Sequence, residues 1–392
     1  LIEPLDTDSA MQILADENIP LLDAFFGDIG TIRRMPGRAI KAADVTDADI
    51  LLVRSVTRVD ADLLSGSRVR FVGTATIGTD HIDESWLERN GIGFAAAPGS
   101  NADSVVEYVL SVLSVYAEER GIEDWTRLSV GIVGAGNVGG RLRHRLGKLG
   151  FSVRASDPPL ADDGEDGLDD LDDVLTCDVI TLHTPLTRAG DHATHHLLDR
   201  ARLATLNEQQ LLINTSRGAV VDSEALRERM RQEAPPWLCL DVWEGEPETD
   251  PELAEAAWLM TPHIAGYSQE GKIQGTERIY QAVCRYFGLP VRKSSGQYMP
   301  EPPLSKLSFT ASASTQEAAR VAIRACYDVR CDDARFRSVL RRPVGEWSTG
   351  FDRLRQQYPI RREFDSVKIQ LKSGAKDLQQ VFKALGFKLK QK

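Results

Sequence analysis

Ser129-Val130-Gly131-Ile132-Val133-Gly134-Ala135-Gly136-Asn137-Val138-Gly139 is the stretch on which the fold turns. Its first five residues form a short apolar run of the buried-strand kind. The glycines then recur in G-x-G-x-x-G spacing and open a helical stretch that ends near Gly150. A lone glycine pattern means little, but strand, turn and helix in this order give each glycine a task. Gly134 permits the tight turn, Gly136 lets the backbone approach a pyrophosphate, and Gly139 lets helix and strand pack closely, with the diphosphate facing the positive helix N-terminus. A second strand pattern, residues 151–155, leads to Asp157, an acid at the spacing that accepts hydrogen bonds from adenosine ribose hydroxyls and repels a 2′-phosphate. Pro158 and Pro159 follow it and no arginine adjoins it, so the expected cofactor is NAD and not NADP. A glycine-rich turn with a merely capping aspartate is the weaker alternative once all five features coincide.

Working outward, residues 179–183, 211–214 and 238–241 read as further buried strands, which implies a parallel sheet covered by helices on both faces. Upstream, 11–15, 50–53 and 69–73 show the same α/β alternation. Residues 104–120 read as an amphipathic linking helix, with Val105, Val109, Val112 and Leu113 near helical spacing and Gly121 as its stop. Downstream, a helical stretch at 270–287 runs into Gly288, Pro290, Ser294-Ser295-Gly296 and the prolines 300, 302 and 303, a linker composition. Beyond it, strand patterns at 306–309 and 367–371 and helical patterns at 311–327, 351–358 and 376–385 make a small α/β domain. The expected fold is α/β: two doubly wound parallel-sheet (Rossmann-like) domains plus a small C-terminal α/β domain. Its expected divisions are 11–103 for the first part of an outer, substrate-binding domain, 104–267 for the nucleotide-binding domain, 268–292 for a helix returning to the outer domain, and 293–392 for the linker and C-terminal domain. The polar residues 1–10 are set aside as an upstream extension.

Composition bounds the partners. In 392 residues, 58 acids against 47 Lys and Arg leave a net charge of −11, so there is no overall basic field to attract nucleic acid or anionic lipid, and an anionic substrate needs a locally basic site. Cys177, Cys239, Cys284, Cys326 and Cys331 are an odd, scattered set without a CxxC pair, which points to reduced thiols and neither a disulfide framework nor a zinc site. No apolar run approaches the roughly 20 residues that cross a bilayer. The expected setting is the cytoplasm. His192, His195 and His196 crowd one stretch, but no carboxylate or cysteine stands at ligand spacing, so a solvent-facing helix end and no metal are expected there.

Three residues follow later strands of the same sheet: Arg217 in Asn214-Thr215-Ser216-Arg217-Gly218, Glu246 in Asp241-Val242-Trp243-Glu244-Gly245-Glu246-Pro247, and His263 in Thr261-Pro262-His263-Ile264-Ala265-Gly266. Strand ends are where open α/β sheets bind ligands. Removing a hydride from an alcohol needs a base for the hydroxyl proton, a carboxylate to hold that base in one tautomer, and a cation for an acidic substrate. Singly, a surface ion pair, a loop acid and a turn histidine explain these residues as well. Behind a nucleotide fingerprint they form a constellation that chance seldom assembles.

With these residues in place, the chain resembles the D-2-hydroxyacid dehydrogenase superfamily over nearly all of 11–289. The segments Asp16-Glu17-Asn18-Ile19-Pro20, Val53-Arg54-Ser55-Val56-Thr57, Phe71-Val72-Gly73-Thr74-Ala75-Thr76-Ile77-Gly78-Thr79-Asp80-His81-Ile82-Asp83 and Pro262-His263-Ile264-Ala265-Gly266-Tyr267-Ser268 are similar to one branch that carries its own C-terminal dimerisation domain. Val329-Arg330, Asp332-Asp333 and Phe351-Asp352-Arg353-Leu354-Arg355 are similar to that domain, whereas the resemblance weakens in the acidic loop after Asp157 and in the last twenty or so residues, from which no site residue is carried over. The resemblance implies a homodimer that uses NAD to oxidise the C2 hydroxyl of a small phosphorylated hydroxyacid. It makes His263 the proton acceptor, Glu246 its orienter and Arg217 the carboxylate anchor, with Ser55, Thr76 and Tyr267 touching substrate. Asn137, Val138, Thr184, Thr215, Ser216, Asp241 and Gly266 join the cofactor contacts. Thr76, Gly78 and Thr79 occupy a turn whose N–H groups can face a carboxylate, although ordinary turn bonding explains Ser55 and Thr76 equally well. Arg54 and Arg58 are candidates for the phosphate, against surface ion pairing, and His81 is read as structural. Two alternatives stand: an enzyme for another phosphorylated hydroxyacid such as 3-phosphoglycerate, which Arg217, Glu246 and His263 cannot separate, and a non-enzymatic NAD-sensing corepressor, which the compact C-terminal region disfavours.

Overall fold

A computed structural model describes residues 10–310, 312–372 and 376–390; positions 1–9, and Ala311 in the helix expected from 311, lie outside the described residues. The chain divides into two compact units, Leu1–Asn101 with Gln269–Pro300, and Ala102–Ser268 with Glu301–Lys392. In the first unit, β1 (Met11–Asp16), β2 (Gly30–Met35), β3 (Ile50–Val53), β4 (Phe71–Thr74) and β5 (Gly93–Ala95) form one parallel sheet in the order β2-β1-β3-β4-β5. All four residues of β3 and of β4 are buried, which is why β3 is apolar throughout, β4 carries a single polar side chain, Thr74, and neither alternates. The helix Gln269–Tyr286 lays Ile273, Ile279, Tyr280 and Val283 into the same core as Ile13, Phe25, Ile50 and Phe71. Thr276 Oγ1 donates to the Pro20 carbonyl at 3.0 Å, so a segment distant in sequence completes this unit. Strands β2 and β5 escape the sequence reading because both lie at sheet edges: β2 (GTIRRM) has no fully buried residue, and β5 is three residues long.

In the second unit, β6 (Ser129–Val133), β7 (Ser152–Ser156), β8 (Val179–Leu182), β9 (Leu211–Asn214), β10 (Trp237–Leu240) and β11 (Leu259–Met260) form a parallel sheet in the order β11-β10-β9-β8-β6-β7. The chain leaves β6 for β7 on one side and returns to β8 on the other, so a crevice opens between β6 and β8 at their carboxyl ends. A third parallel sheet, β12 (Lys306–Phe309), β13 (Lys368–Leu371) and β14 (Lys388–Leu389), belongs to the C-terminal region with the helices Thr315–Cys326, Val329–Leu340, Trp347–Gln356 and Lys376–Leu385. The helix Val329–Leu340 was not anticipated; Asp328 caps it by accepting from the Arg330 N–H at 3.1 Å.

The helix Ala102–Glu119 explains why the C-terminal region belongs to the second unit. Tyr108, Val109, Val112 and Tyr116 share one apolar cluster with Val130 and Ile132 of the sheet and with Ile323, Phe364, Phe382 and Leu385 of the C-terminal region. Each such side chain, fully buried, contributes about 1.5–3 kcal/mol. The helix looks amphipathic in sequence, yet its polar positions are buried too. Ser104 Oγ donates to Ala265 O at 3.0 Å, Ser111 Oγ donates to Tyr327 O at 3.0 Å, and Glu107 Oε1 accepts from Phe364 N–H at 2.7 Å. No helix among the described residues is long and apolar enough to cross a membrane.

Candidate active site

Because the second sheet is parallel, the residues that follow its strands gather along one edge. Gly134–Gly139 follow β6, Asp157 follows β7, Thr184 follows β8, Thr215–Arg217 follow β9, Asp241 follows β10 and His263 follows β11. The turn glycines serve two ends. Gly134 has φ 89°, and a Cβ on Gly139 would stand 1.8 Å from the Gly134 carbonyl oxygen, so both are demanded by the chain itself. A Cβ on Gly136 would meet nothing within 4 Å; this glycine faces open space ahead of the helix Gly139–Leu149. Asp157 Oδ2 accepts from the Ala135 N–H at 2.8 Å and Oδ1 from the Leu160 N–H at 3.2 Å. It therefore braces the glycine turn and caps the short helix Pro158–Asp162, and each oxygen keeps a second lone pair for a ribose hydroxyl. Thr184 Oγ1 is buried without a hydrogen-bond partner among the described residues, a deficit that a polar group of a dinucleotide makes good. The open cradle and this orphaned oxygen fit NAD. Beside them His183, unremarked in the sequence because it ends a strand run, places Nε2 3.0 Å from Thr181 Oγ1 and Nδ1 3.1 Å from Thr215 Oγ1. Burial pushes its pKa down to about 3, so it stays neutral.

Asn214 shapes the turn that presents Arg217. Its Oδ1 accepts from Ser216 N–H (3.1 Å) and Ser216 Oγ (2.8 Å), and its Nδ2 donates to Arg217 O (3.0 Å). A Cβ on Gly218 would lie 2.0 Å from the Trp243 carbonyl carbon, so only glycine lets the loop after β9 press against the loop that carries Glu246. Asp241, 1% exposed, accepts from Thr261 Oγ1 (2.6 Å) and Ile264 N–H (2.7 Å) with Oδ1 and from Ala265 N–H (3.0 Å) with Oδ2. Burial raises its pKa, against the lowering pull of His263, Thr261 and these N–H groups. Its carboxylate, expected to touch cofactor, also holds the turn on which His263 adopts φ 56°. His263 Nδ1 then lies 2.5 Å from Glu246 Oε1, and Glu246 Oε2 accepts from Trp243 N–H at 3.3 Å. Burial works to raise the Glu246 pKa, but His263 and, less strongly, Arg355 more than offset it, so the carboxyl lies below its ordinary value and stays ionised. Such a pair can serve as a base and its orienter, because an ionised carboxylate bonded to Nδ1 keeps the proton there and leaves Nε2 as the acceptor.

Two residues assigned to substrate, Ser55 and Thr76, belong to the first unit. Ser55 is exposed; Thr76 Oγ1 lies 2.7 Å from Thr74 Oγ1 and donates to Gly78 O at 3.2 Å, while His81 Nε2 lies 3.0 Å from Thr74 Oγ1. Of the two phosphate candidates, Arg58 pairs through Nε with Asp60 at 2.7 Å. Tyr267, the third residue expected to touch substrate, accepts through its phenol oxygen from Arg355 Nε at 3.0 Å. The histidine group lies in a loop before the helix Arg200–Leu203, not at a helix end. There the fold supplies carboxylates that spacing did not reveal: His196 Nε2 lies 2.9 Å from Glu244 Oε1, with Asp222 Oδ2 3.7 Å from its Nδ1. His195, His196 and Glu244 place ligand-type atoms within 4.8 Å of one another, but the two rings stack at 4.0 Å and Glu244 is already bonded to His196 and to Ser223 N–H, the arrangement of a hydrogen-bonded loop.

Residues 114–265 match the family model of the D-isomer specific 2-hydroxyacid dehydrogenase NAD binding domain, and residues 298–386 match a domain of unknown function. Erythronate-4-phosphate dehydrogenase of Marinobacter nauticus is 62% identical over 383 residues, covering 97% of this chain and 100% of that protein. The protein of the same name from Hahella chejuensis is 50% identical over 384 residues, with 97% and 100% covered. Among solved structures, NAD+-bound 3-phosphoglycerate dehydrogenase of Entamoeba histolytica superimposes with a TM-score of 0.61 at 20% identity, over 72% of this chain and 98% of that one. D-lactate dehydrogenase of Aquifex aeolicus, complexed with NAD and lactic acid, does so with a TM-score of 0.58 at 23% identity, over 72% and 100%. These two share the fold of the paired Rossmann-like sheets. By its near full-length identity to the curated relatives, the chain belongs to the erythronate-4-phosphate dehydrogenase family within the D-2-hydroxyacid dehydrogenases.

Proposed function

We infer that the protein is an NAD-dependent 4-phosphoerythronate dehydrogenase, which oxidises the C2 hydroxyl of 4-phospho-D-erythronate to (R)-3-hydroxy-2-oxo-4-phosphobutanoate in pyridoxal 5′-phosphate biosynthesis. The observation that carries the reading is the Glu246–His263 pair, 2.5 Å apart, on the sheet edge that also bears the glycine cradle. Bound NAD supplies the hydride acceptor. His263 Nε2 takes the C2 hydroxyl proton as the C2 hydride leaves, so the alcohol loses two electrons and two hydrogens in one step. Glu246 stabilises the imidazolium that results, and Arg217 holds the C1 carboxylate in bidentate geometry. Gly134, Gly136, Asn137, Val138 and Gly139 cradle the diphosphate, Asp157 receives the ribose, and Thr184, Thr215, Ser216, Asp241 and Gly266 line the rest of the cofactor site. Ser55, Thr76 and Tyr267 contact the substrate.

The protein works in the cytoplasm as a homodimer joined through the C-terminal region. Val321, Val344 and Ile360 of that region are 47%, 63% and 65% exposed, and an isologous contact would cover them. The decisive experiment offers purified protein 4-phosphoerythronate, 3-phosphoglycerate and D-lactate in parallel, follows NADH absorbance, and includes a 2-oxo acid acceptor to re-oxidise tightly held cofactor. Turnover that favours 4-phosphoerythronate by at least an order of magnitude in kcat/KM is the expected result. Preference for another acid, or none, overturns the reading.

A further inference from the structure

The region after residue 300 reaches the catalytic residues of its own chain. The helix Trp347–Gln356 carries Arg355 to the loop that follows His263, where the guanidinium does three things. Its Nε donates to the Tyr267 phenol oxygen at 3.0 Å. Its carbon sits 5.7 Å from the centre of the Tyr267 ring and 5.8 Å from that of Phe351, within the range of cation–π attraction. Its charge acts on Glu246, the carboxylate bonded to His263.

We propose that Arg355 is a positioning residue of the active site, fixing the Tyr267 phenol by hydrogen bond and stacking on the loop that follows His263. The inference rests on the dehydrogenase reading above. A phenol whose oxygen accepts from a cation is restricted in the direction its own proton can take, so Arg355 presents Tyr267 as an oriented donor. The charged groups that bear on this arrangement are His263 and Arg355 around Glu246, and Tyr267, Glu246 and Asp352 around Arg355. Burial opposes the charge on Arg355, and Tyr267, Glu246 and Asp352 sustain it. Lysine cannot do the same work, because it lacks the planar stack and the Nε fork. The C-terminal region is then part of the catalytic apparatus in its own subunit, whatever it does between subunits.

Arg355→Met retains the packed stem and removes the charge. Relative to the native protein, kcat/KM for 4-phosphoerythronate should fall about ten- to a hundredfold, the scale of a lost hydrogen bond to a charged group. NAD affinity, read by nucleotide fluorescence, should hold. Loss of the positive charge should move the acidic limb of the kcat/KM–pH profile to higher pH, and Arg355→Lys should restore that limb while recovering only part of the rate. Tyr267→Phe combined with Arg355→Met should lose less than the product of the two single losses. An unmoved acidic limb with multiplicative losses overturns the proposal, as does a rate loss that simply tracks a fall in Tm. If Arg355→Met does not fold, the non-additivity of Arg355→Lys with Tyr267→Phe decides the matter, multiplicative losses overturning the proposal. A native protein inert toward 4-phosphoerythronate but active on another 2-hydroxyacid refutes the substrate reading alone, and the same variants are then compared on that acid.

Discussion

Replacing Glu246 by glutamine preserves the shape of the catalytic pair and removes its charge. Glu246 Oε1 lies 2.5 Å from His263 Nδ1, which sets the centres of carboxylate and protonated imidazole about 4–5 Å apart; at an effective dielectric constant of about 20, their attraction is about 3–4 kcal/mol. The side chains are 30% and 27% exposed, so water screens part of this and about 2–3 kcal/mol remains for the transition state. That corresponds to about 30- to 150-fold in kcat. Glutamine also faces a choice of evils. With its oxygen toward Nδ1, its amide NH2 meets the Trp243 N–H donor; flipped, it donates to Nδ1 and drives the proton onto Nε2, which abolishes the base. Steady-state NADH assays on Glu246→Gln should show the kcat loss with NAD affinity intact. The acidic limb of kcat/KM should move to lower pH, opposite to the Arg355→Met shift. A kcat within about threefold of native, or a limb that moves upward, refutes this assignment of orienter and base.

The remaining expectations test the cradle, the buried charges and the assembly. Gly136→Val should fold with a near-native Tm, because its side chain enters open space, yet lose NAD binding by more than about tenfold in calorimetry; unchanged affinity would place the diphosphate elsewhere. Asp157→Ala should weaken NAD and narrow the preference over NADP, with some loss of Tm from the freed Ala135 N–H. Glu107 is buried, and its pKa is raised well above 4.5 by that burial and then by the Glu363 charge, against Arg361 and the Phe364 N–H. A raised folded-state pKa stabilises fully below about pH 4.5 and loses that contribution as pH climbs through the folded value. Glu107→Gln should therefore gain Tm relative to native as pH rises from 4.5 to 9, and a widening native advantage over that range would be the contrary result. Val344→Asp with Ile360→Asp should leave a folded monomer in light scattering; a persistent dimer places the interface elsewhere.

What could be read from the sequence follows from what each element must bury. Runs such as Ile50–Val53, Val179–Leu182 and Leu211–Asn214 are almost wholly apolar, on both faces, because helices cover both sides of a parallel sheet, so they announce themselves. Edge strands Gly30–Met35 and Gly93–Ala95 have no such demand and left no pattern. The G-x-G-x-x-G turn was legible because Gly134 and Gly139 answer local backbone geometry, a constraint carried within six residues.

Pairings between distant segments were a different matter, since no local period records them. Asp241 was expected at the cofactor, and only the fold reveals that it accepts three hydrogen bonds from the turn bearing His263. Ser104, Glu107 and Ser111 recur at helical spacing and read as the solvent face of an amphipathic helix. In the folded chain Glu107 and Ser111 bond to Phe364 and Tyr327 of the C-terminal region, and Ser104 bonds to Ala265 in the loop after His263. A polar side chain in the sequence announces that it needs hydrogen-bond partners but not whether water or protein provides them. The sequence by itself thus determined the sheets' central strands, the nucleotide turn and the residue types of the chemistry. The tertiary structure decided which polar groups satisfy one another, including the approach of Arg355 to Tyr267, because that depends on burial created by segments more than eighty residues away.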